Sequence, residues 1–320
     1  MTVNGDIPAA GRPGIGFLAA PGESGSLSDF ARTLEDAGAD SLWASGHITI
    51  GRPVPEPLTS LAHIAAVTTR VRVGSAVFPL PLYNPMVLAK QLAEIDRLSG
   101  GRVSVGVGTG GEYQREFDAV GVPRTGLGPR LDEQIGLLRA AWADRSTPFR
   151  GALWQVDDAR VEPSPAHPQG PPILVAGRKN PAMRRAARLG DGWMPFLYTP
   201  EQYARSVAAI HRLAGPDRDL TSGFEWLVFV YVSLDDDAET ALSRAISYVG
   251  AGQAGDPERF TTFVERVAAF GPPKLVAARL QEFLDAGARH LILAPTDGVD
   301  PAAMAADVLS RVAPLLRVPA

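Results

Sequence analysis

Strand-like and helix-like patterns alternate along almost the whole chain, and the strand patterns are continuous apolar runs with little polar alternation. A strand that is apolar on both faces must be covered on both, which a parallel sheet flanked by helices achieves. Gly14 to Ala19 reads as the first strand. Leu27 to Ala37 follows at helical spacing and stops at Gly38, a glycine where helices commonly end. Strands are then expected at Ser41–Ala44, Val71–Phe78, Val103–Val107, Ile173–Ala176, Gly192–Pro195, Glu225–Ser233 and His290–Ala294. Between them fall helices at Pro57–Thr68, Pro85–Leu98, Glu112–Val120, Leu131–Ala143, Pro181–Leu189, Pro200–Leu213, Asp235–Tyr248, Pro257–Ala269 and Lys274–Ala286, with Pro301–Leu316 closing the chain. The rhythm pauses once, from Phe149 to Pro165, where Gly151 and the prolines predict an inserted hairpin. Eight strand–helix units over about 300 residues favour a closed (β/α)8 TIM barrel, an α/β fold, over an open doubly wound sheet. No linker or composition break divides residues 1–320, so one barrel domain is expected, with 1–13 as a polar lead-in.

In such a barrel, ligands sit at the carboxyl ends of the strands. Two strand ends here are rich in glycine: Val103-Ser104-Val105-Gly106-Val107-Gly108-Thr109-Gly110-Gly111, and Ile173-Leu174-Val175-Ala176-Gly177-Arg178. Without a Cβ, backbone approaches a ligand closely and turns its N–H groups toward an anion. Either cluster alone is more often a tight turn. The first lacks both the Gly-x-Gly-x-x-Gly spacing of a dinucleotide site and the Lys-Ser/Thr ending of a P-loop. As a pair at the same end of one barrel, they point to one phosphate-bearing cofactor held between them.

Composition removes other classes. The 320 residues contain no cysteine, so disulfides, thiolate metal sites and cysteine nucleophiles are excluded, and no metal site is expected. A net charge of −4 without long basic runs argues against nucleic acid as a partner. No apolar run approaches the ~20 residues of a membrane span, and the first 13 residues lack a signal-peptide core, so a cytoplasmic location is expected.

Several segments together resemble the luciferase-like monooxygenase superfamily, the bacterial luciferase-type barrels that use FMN or the deazaflavin coenzyme F-420 (F420). They are Ala37-Gly38-Ala39-Asp40-Ser41-Leu42-Trp43 before a histidine, Val73-Gly74-Ser75-Ala76-Val77, Leu98-Ser99-Gly100-Gly101-Arg102, Pro171 to Gly177, and Gly190-Asp191-Gly192-Trp193, in the family's order. The resemblance implies a flavin or deazaflavin across the strand ends. Thr109, Gly110 and Gly111 with Ala176, Gly177 and Arg178 would surround its phosphate, and Ser75, Ala76 and Val77 would form a bulge, often with a non-proline cis peptide, beneath its ring. The family's deazaflavin-dependent sugar dehydrogenases have Asp-His where Gly46-His47 stands here, and a Glu near Gly110-Gly111. Glu112 replaces that Glu if the turn has a different register.

His47 lies three residues past the second strand and matches a family position where histidine stabilises substrate or intermediate. A loop histidine is usually a solvated side chain, but an imidazole at this place can give a proton to a departing oxygen or take one from a substrate alcohol. His63 within a helix and His290 at the start of the last strand read as structural. Trp43, Phe78 and Tyr83 are the candidate apolar lining. The basic run Arg178, Lys179, Arg184 and Arg185 reads either as a solvated helix face or as a seat for the polyglutamyl tail that F420 carries and FMN lacks. The first expectation is a monooxygenase acting on a small organic substrate with reduced FMN and O2, supplied by a separate flavin reductase or not. The alternative is an F420-dependent hydride-transfer enzyme, and a remote one is a non-catalytic flavin-binding barrel. Apolar Met86, Val87, Leu88, Leu92 and Ile95 on Pro85–Leu98 exceed one narrow stripe and raise the expectation of a homodimer.

Overall fold

The computed structural model describes residues 11–20, 25–50, 53–216, 218–250, 257–296 and 300–319. In chain order the elements are β1 (Gly14–Leu18), α1 (Leu27–Asp36), β2 (Ser41–Ala44), α2 (Pro57–Val67), β3 (Arg72–Ser75), β4 (Phe78–Pro79), α3 (Pro85–Ser99), β5 (Val103–Gly108), α4 (Gln114–Val120) and α5 (Leu127–Trp142). They continue with β6 (Phe149–Arg150), β7 (Gln155–Val156), β8 (Ile173–Val175), α6 (Asn180–Leu189), β9 (Gly192–Trp193), α7 (Pro200–Ala214), β10 (Glu225–Leu234), α8 (Ala238–Gly250), α9 (Pro257–Val267), β11 (Ala269–Gly271), α10 (Pro273–Asp285), β12 (His290–Pro295) and α11 (Pro301–Asp307).

Parallel pairing runs β10–β12–β1–β2–β3–β5–β8–β9, and β9 returns to β10, so the sheet closes into a barrel. The interrupted pair β3 and β4 acts as one stave: Val73 and Gly74 pair with Val103 and Ser104, Phe78 and Pro79 with Val107 and Gly108. The Ala76–Val77 peptide between them is cis, at the place the family resemblance marked.

Local signals explain the helices. Ser26 accepts from the Asp29 amide at the start of α1; Phe30, Ala31 and Leu34 then bury one face, and Gly38 at φ +94 ends the turn. Burying each such Leu or Phe contributes roughly 1.5–3 kcal/mol. The strands' outward residues, including Phe17, Leu42, Val73, Val105 and Ile173, form the large core shared with the helices. The inward ones, Trp43, Leu174, Met194, Leu227 and Ile292, fill the barrel with Ala76, Val77 and Phe229 packed on them. Gly74 makes room for this filling, since a Cβ there would lie 2.3 Å from the Trp43 ring.

Polar groups occupy the barrel toward the amino ends of the strands. Arg72 pairs with both carboxylate oxygens of Glu225 at 2.5 Å and donates to Ser104 Oγ. Burial pushes the Glu225 pKa up, but Arg72 outweighs it and holds the carboxyl below its ordinary value. Ser41 Oγ accepts from Trp43 Nε1 at 2.7 Å and lies 2.7 Å from His290 Nε2. His290 is therefore a barrel-interior group, as its place at the start of a strand suggested.

Several expected boundaries move. The acidic residues expected to open a helix at Asp235 are its cap: Asp237 accepts from the Glu239 and Thr240 amides, so α8 begins at Ala238. The helix expected to reach Ala269 stops at Val267, and Ala269–Gly271 instead pairs with Val232–Leu234 of β10 before Pro272 and Pro273. The last helix holds α geometry only to Asp307, continuing as a π turn over Val308–Val312 and a 3-10 turn over Ala313–Leu315, where Pro314 cannot donate a backbone hydrogen bond. The inserted hairpin exists, with Phe149↔Val156 and Arg150↔Gln155 paired outside the barrel. Residues 1–10 of the expected lead-in lie outside the described residues, while Arg12 is tied to Asp40. No helix among the described residues is long and apolar enough to cross a membrane.

Candidate active site

The two glycine-rich strand ends meet at the carboxyl rim of the barrel. Val107 and Val175 are in register across β5 and β8, and the Ala176 amide continues the pairing to the Val107 carbonyl at 2.8 Å, which puts Gly108–Gly111 beside Ala176–Arg178. Gly110, Gly111 and Gly177 have φ of +61, +103 and +124, conformations that β-carbon-bearing residues rarely adopt. At Gly177 a Cβ would also lie 2.6 Å from the Ala182 Cβ at the start of α6. Arg124 donates to the Gly111 carbonyl and fixes the first loop from outside. Thr109, Gly111, Ala176 and Gly177 are half-buried and Gly110 and Arg178 exposed, so both loops offer backbone to a ligand. Of the bulge, Ser75 is buried, its Oγ donating to the Gly106 carbonyl at 2.9 Å. Ala76 and Val77 are half-buried at the barrel mouth. A Cβ on Gly108 would stand 3.2 Å from Val77 Cγ2 and 3.8 Å from the Ala176 Cβ, so the bulge and the second loop both adjoin the start of the first loop at this glycine. These residues fit a flat ring over Val77 with a phosphate at the loops.

His47 follows β2 on the same rim. Gly46 lets this loop close on the bulge, since a Cβ there would lie 1.9 Å from the Val77 carbonyl oxygen. The His47 side chain is one-third exposed, its Nδ1 is 3.2 Å from Glu116 Oε2, and its ring meets Tyr113 edge to face at 5.2 Å. Glu116 Oε1 also accepts from the Ile48 amide at 2.6 Å and the Thr49 amide at 3.3 Å. Tyr83 donates from its hydroxyl to the Gly46 carbonyl at 3.4 Å, and burial, reinforced by Glu56 and Glu116, raises its pKa so that it stays protonated.

The structure redistributes several expected residues. Trp43 is fully buried within the barrel, below the mouth rather than along its wall. Phe78 is also fully buried and faces the helical layer, packed edge to face on Tyr83 at 5.3 Å. That leaves Tyr83 as the half-buried member of the three. Glu112 is exposed; the carboxylate that meets the His47 loop is Glu116, one helical turn further on, which is 1% exposed. Sequence reading missed it. Its signal was a glutamate beside apolar Phe117 on a short helix directly after the glycine cluster. The basic run divides too: Arg185 is buried against Asp132 and the Gly128 carbonyl, whereas Lys179 and Arg184 are exposed. Arg178 stacks over Phe196 at 5.1 Å and reaches the Leu197 carbonyl at 3.3 Å. On α3, Leu88, Leu92 and Ile95 are spent on the core, leaving Val87 and Leu98 exposed.

A family model described as luciferase-like monooxygenase matches residues 15–290. The F420-dependent glucose-6-phosphate dehydrogenase of Kineococcus radiotolerans is 30% identical over 318 residues, covering 92% of this chain and 93% of that protein. An uncharacterized protein of Mycobacterium tuberculosis is 36% identical over 185 residues; the match takes in 58% of this chain and 62% of that relative's length. Among solved structures, an F420-dependent secondary alcohol dehydrogenase in complex with an F420-acetone adduct shares the fold with a TM-score of 0.82 at 19% identity, over 96% of this chain and 99% of that one. The oxygenating constituent of 3,6-diketocamphane monooxygenase from Pseudomonas putida, in complex with FMN, does so with a TM-score of 0.74 at 19% identity, over the same shares of the two chains.

Proposed function

The chain is an oxidoreductase of the luciferase-like monooxygenase family, and on that premise we propose that it transfers a hydride between coenzyme F420 and a small alcohol or carbonyl compound. The observation that carries the reading is the placement of His47, half-buried on the rim, next in the chain to the Gly46 that closes on Val77, and with its Nδ1 against Glu116. Ala76 and Val77 would seat the ring of the oxidised deazaflavin, which would supply the hydride acceptor for the alcohol carbon. His47 would take the hydroxyl proton at Nε2, and in the reverse direction return it to the carbonyl oxygen. The glycine loops at Thr109–Gly111 and Ala176–Gly177 hold the phosphate through backbone N–H groups, with Arg178 adding charge. Tyr83, neutral at working pH, and Ile48, 39% exposed, present the apolar side of the substrate space.

Two observations favour F420 over FMN. Similarity to an F420-dependent dehydrogenase extends over 92% of the chain, and exposed Lys179 and Arg184 follow the second phosphate loop, where an anionic tail would emerge. Gly46 stands where the sugar dehydrogenases place Asp, and Gly110-Gly111 lie near where they place Glu, which favours a simple alcohol over a sugar phosphate as substrate. Oxygenation with reduced FMN is the second reading, supported by the likeness of fold to the FMN-bound monooxygenase. The two chemistries separate in one anaerobic assay. Oxidised F420 incubated with a panel of small secondary alcohols should be reduced by the parent protein and ~10²–10⁴-fold more slowly by His47→Ala, the range for loss of a general base. Absence of anaerobic reduction together with substrate-dependent O2 uptake on reduced FMN would replace the first reading with the second.

A further inference from the structure

We infer that Glu116 is a positioning residue that decides which nitrogen of His47 is chemically active. The inference rests on the reading of His47 as the acid–base group and concerns a residue that no motif singled out. Removing a carboxylate from water is costly unless donors replace the lost hydration. Glu116 is 1% exposed, and among the described residues no Lys or Arg lies within ion-pair distance of it. The Ile48 and Thr49 amides donate to its Oε1, and His47 Nδ1 lies 3.2 Å from its Oε2.

This division has a consequence for the imidazole. The two backbone N–H groups pin Oε1, so the carboxylate cannot rotate away and Oε2 stays directed at Nδ1. An ionised carboxylate only accepts, so Nδ1 must carry the hydrogen. A neutral imidazole has one N–H, which leaves the lone pair on Nε2, the nitrogen turned away from Glu116. Tyr113, on the same segment, packs edge to face with the ring at 5.2 Å. When Nε2 takes a proton, the imidazolium forms against a carboxylate already in place. The residues Thr109 to Glu116 therefore hold both ends of the site: the phosphate loop at their start and the His47 clamp at their end.

A role limited to tying down the 47–49 loop would give Glu116 the same two backbone contacts, so the test must read the ring. Glu116→Gln makes the distinction. Its amide oxygen must still face the Ile48 and Thr49 N–H groups, which turns its NH2, a donor, toward Nδ1 and forces the hydrogen onto Nε2. Nitrogen-15 NMR of histidine-labelled protein without cofactor, with the His47 signals identified by their loss in His47→Ala, reports the tautomer directly. The expected result is Nδ1–H in the parent and Nε2–H in Glu116→Gln. Turnover by the variant should fall ~10²–10⁴-fold with KM and cofactor affinity near parental values, as when an acid–base histidine is held in the wrong tautomer. A parent His47 found as the Nε2–H tautomer would overturn the inference without any variant being needed. So would an unchanged tautomer in a folded Glu116→Gln protein. A tautomer that switches while turnover stays parental would instead uphold the clamp and remove His47 from the proposed chemistry.

Discussion

Acid should destabilise this barrel through one buried imidazole. His290 is 9% exposed, its Nε2 lies against Ser41 Oγ, and Gly14 packs closely on its other nitrogen, since a Cβ there would come within 2.3 Å of Nδ1. Burial lowers its pKa from 6.5 to about 4, and the Arg72 guanidinium adds to this, with Glu225 and Asp40 opposing. The folded state thus binds its proton less tightly than the unfolded chain. Stability is fully present above about pH 6.5, falls as pH drops through the window from 6.5 to about 4, and changes no further from this group below that. Linkage over those two pKa values gives a loss of about 2 kcal/mol between pH 7 and pH 5. Glu35, held by the residue 69–71 amides, and Glu225, paired with Arg72, have lowered pKa values and contribute little to the change above pH 5. Urea unfolding at the two pH values measures it. His290→Gln keeps a polar group against Ser41 but cannot titrate, so the difference in stability between pH 7 and pH 5 should shrink by that amount relative to the parent. An equal pH dependence in parent and variant would refute the reasoning.

The phosphate cradle predicts that Gly177→Leu, whose side chain must enter a φ +124 position against Ala182, weakens cofactor binding by at least ~1–3 kcal/mol in a folded protein, measured by fluorescence titration. Gly74→Ala should destabilise the barrel by ~1–3 kcal/mol, read as a lowered urea midpoint, because its methyl group collides with the Trp43 ring. Arg72→Met leaves Glu225 without its partner, and should cost more stability than the double variant Arg72→Met/Glu225→Leu, the order expected when a lone charge is left in a barrel interior; denaturant unfolding of all three proteins checks it. If two copies associate through α3, only Val87 and Leu98 remain there to be covered, so Val87→Glu should shift a dimer to monomer in light scattering, and a monomeric parent removes that interface.

The barrel was legible because its strands are apolar on both faces and its helices carry caps and stop signals, as with Ser26 and Gly38 around α1. Boundaries failed where the ends of elements serve a cap or a pairing: Asp237 caps α8, and Ala269, expected to end a helix, opens the strand that pairs with β10. The glycine clusters were legible because Gly110, Gly111 and Gly177 occupy backbone conformations that favour glycine. Which aromatic faces the mouth was not. Phe78 and Trp43 both lie on staves near the rim, but the break at Ala76–Val77 resets the alternation between β3 and β4, and Phe78 turns outward. Glu116 was invisible because its partners, the 47–49 loop, are nearly seventy residues away in sequence, and no local pattern distinguishes a buried glutamate on a short helix from a solvated one.

In the proposed function, the two glycine loops and the Ala76–Val77 bulge hold a deazaflavin whose hydride exchange is served by His47. Titration of the protein with F420 and FMN side by side, under identical buffer conditions and followed by the fluorescence of each cofactor, tests it most directly. F420 should bind at least ~10-fold more tightly than FMN, a difference of about 1.4 kcal/mol, and Lys179→Glu with Arg184→Glu should erase most of that advantage while leaving FMN binding near its parental value. Tighter binding of FMN, with F420 bound weakly or not at all, would contradict the account.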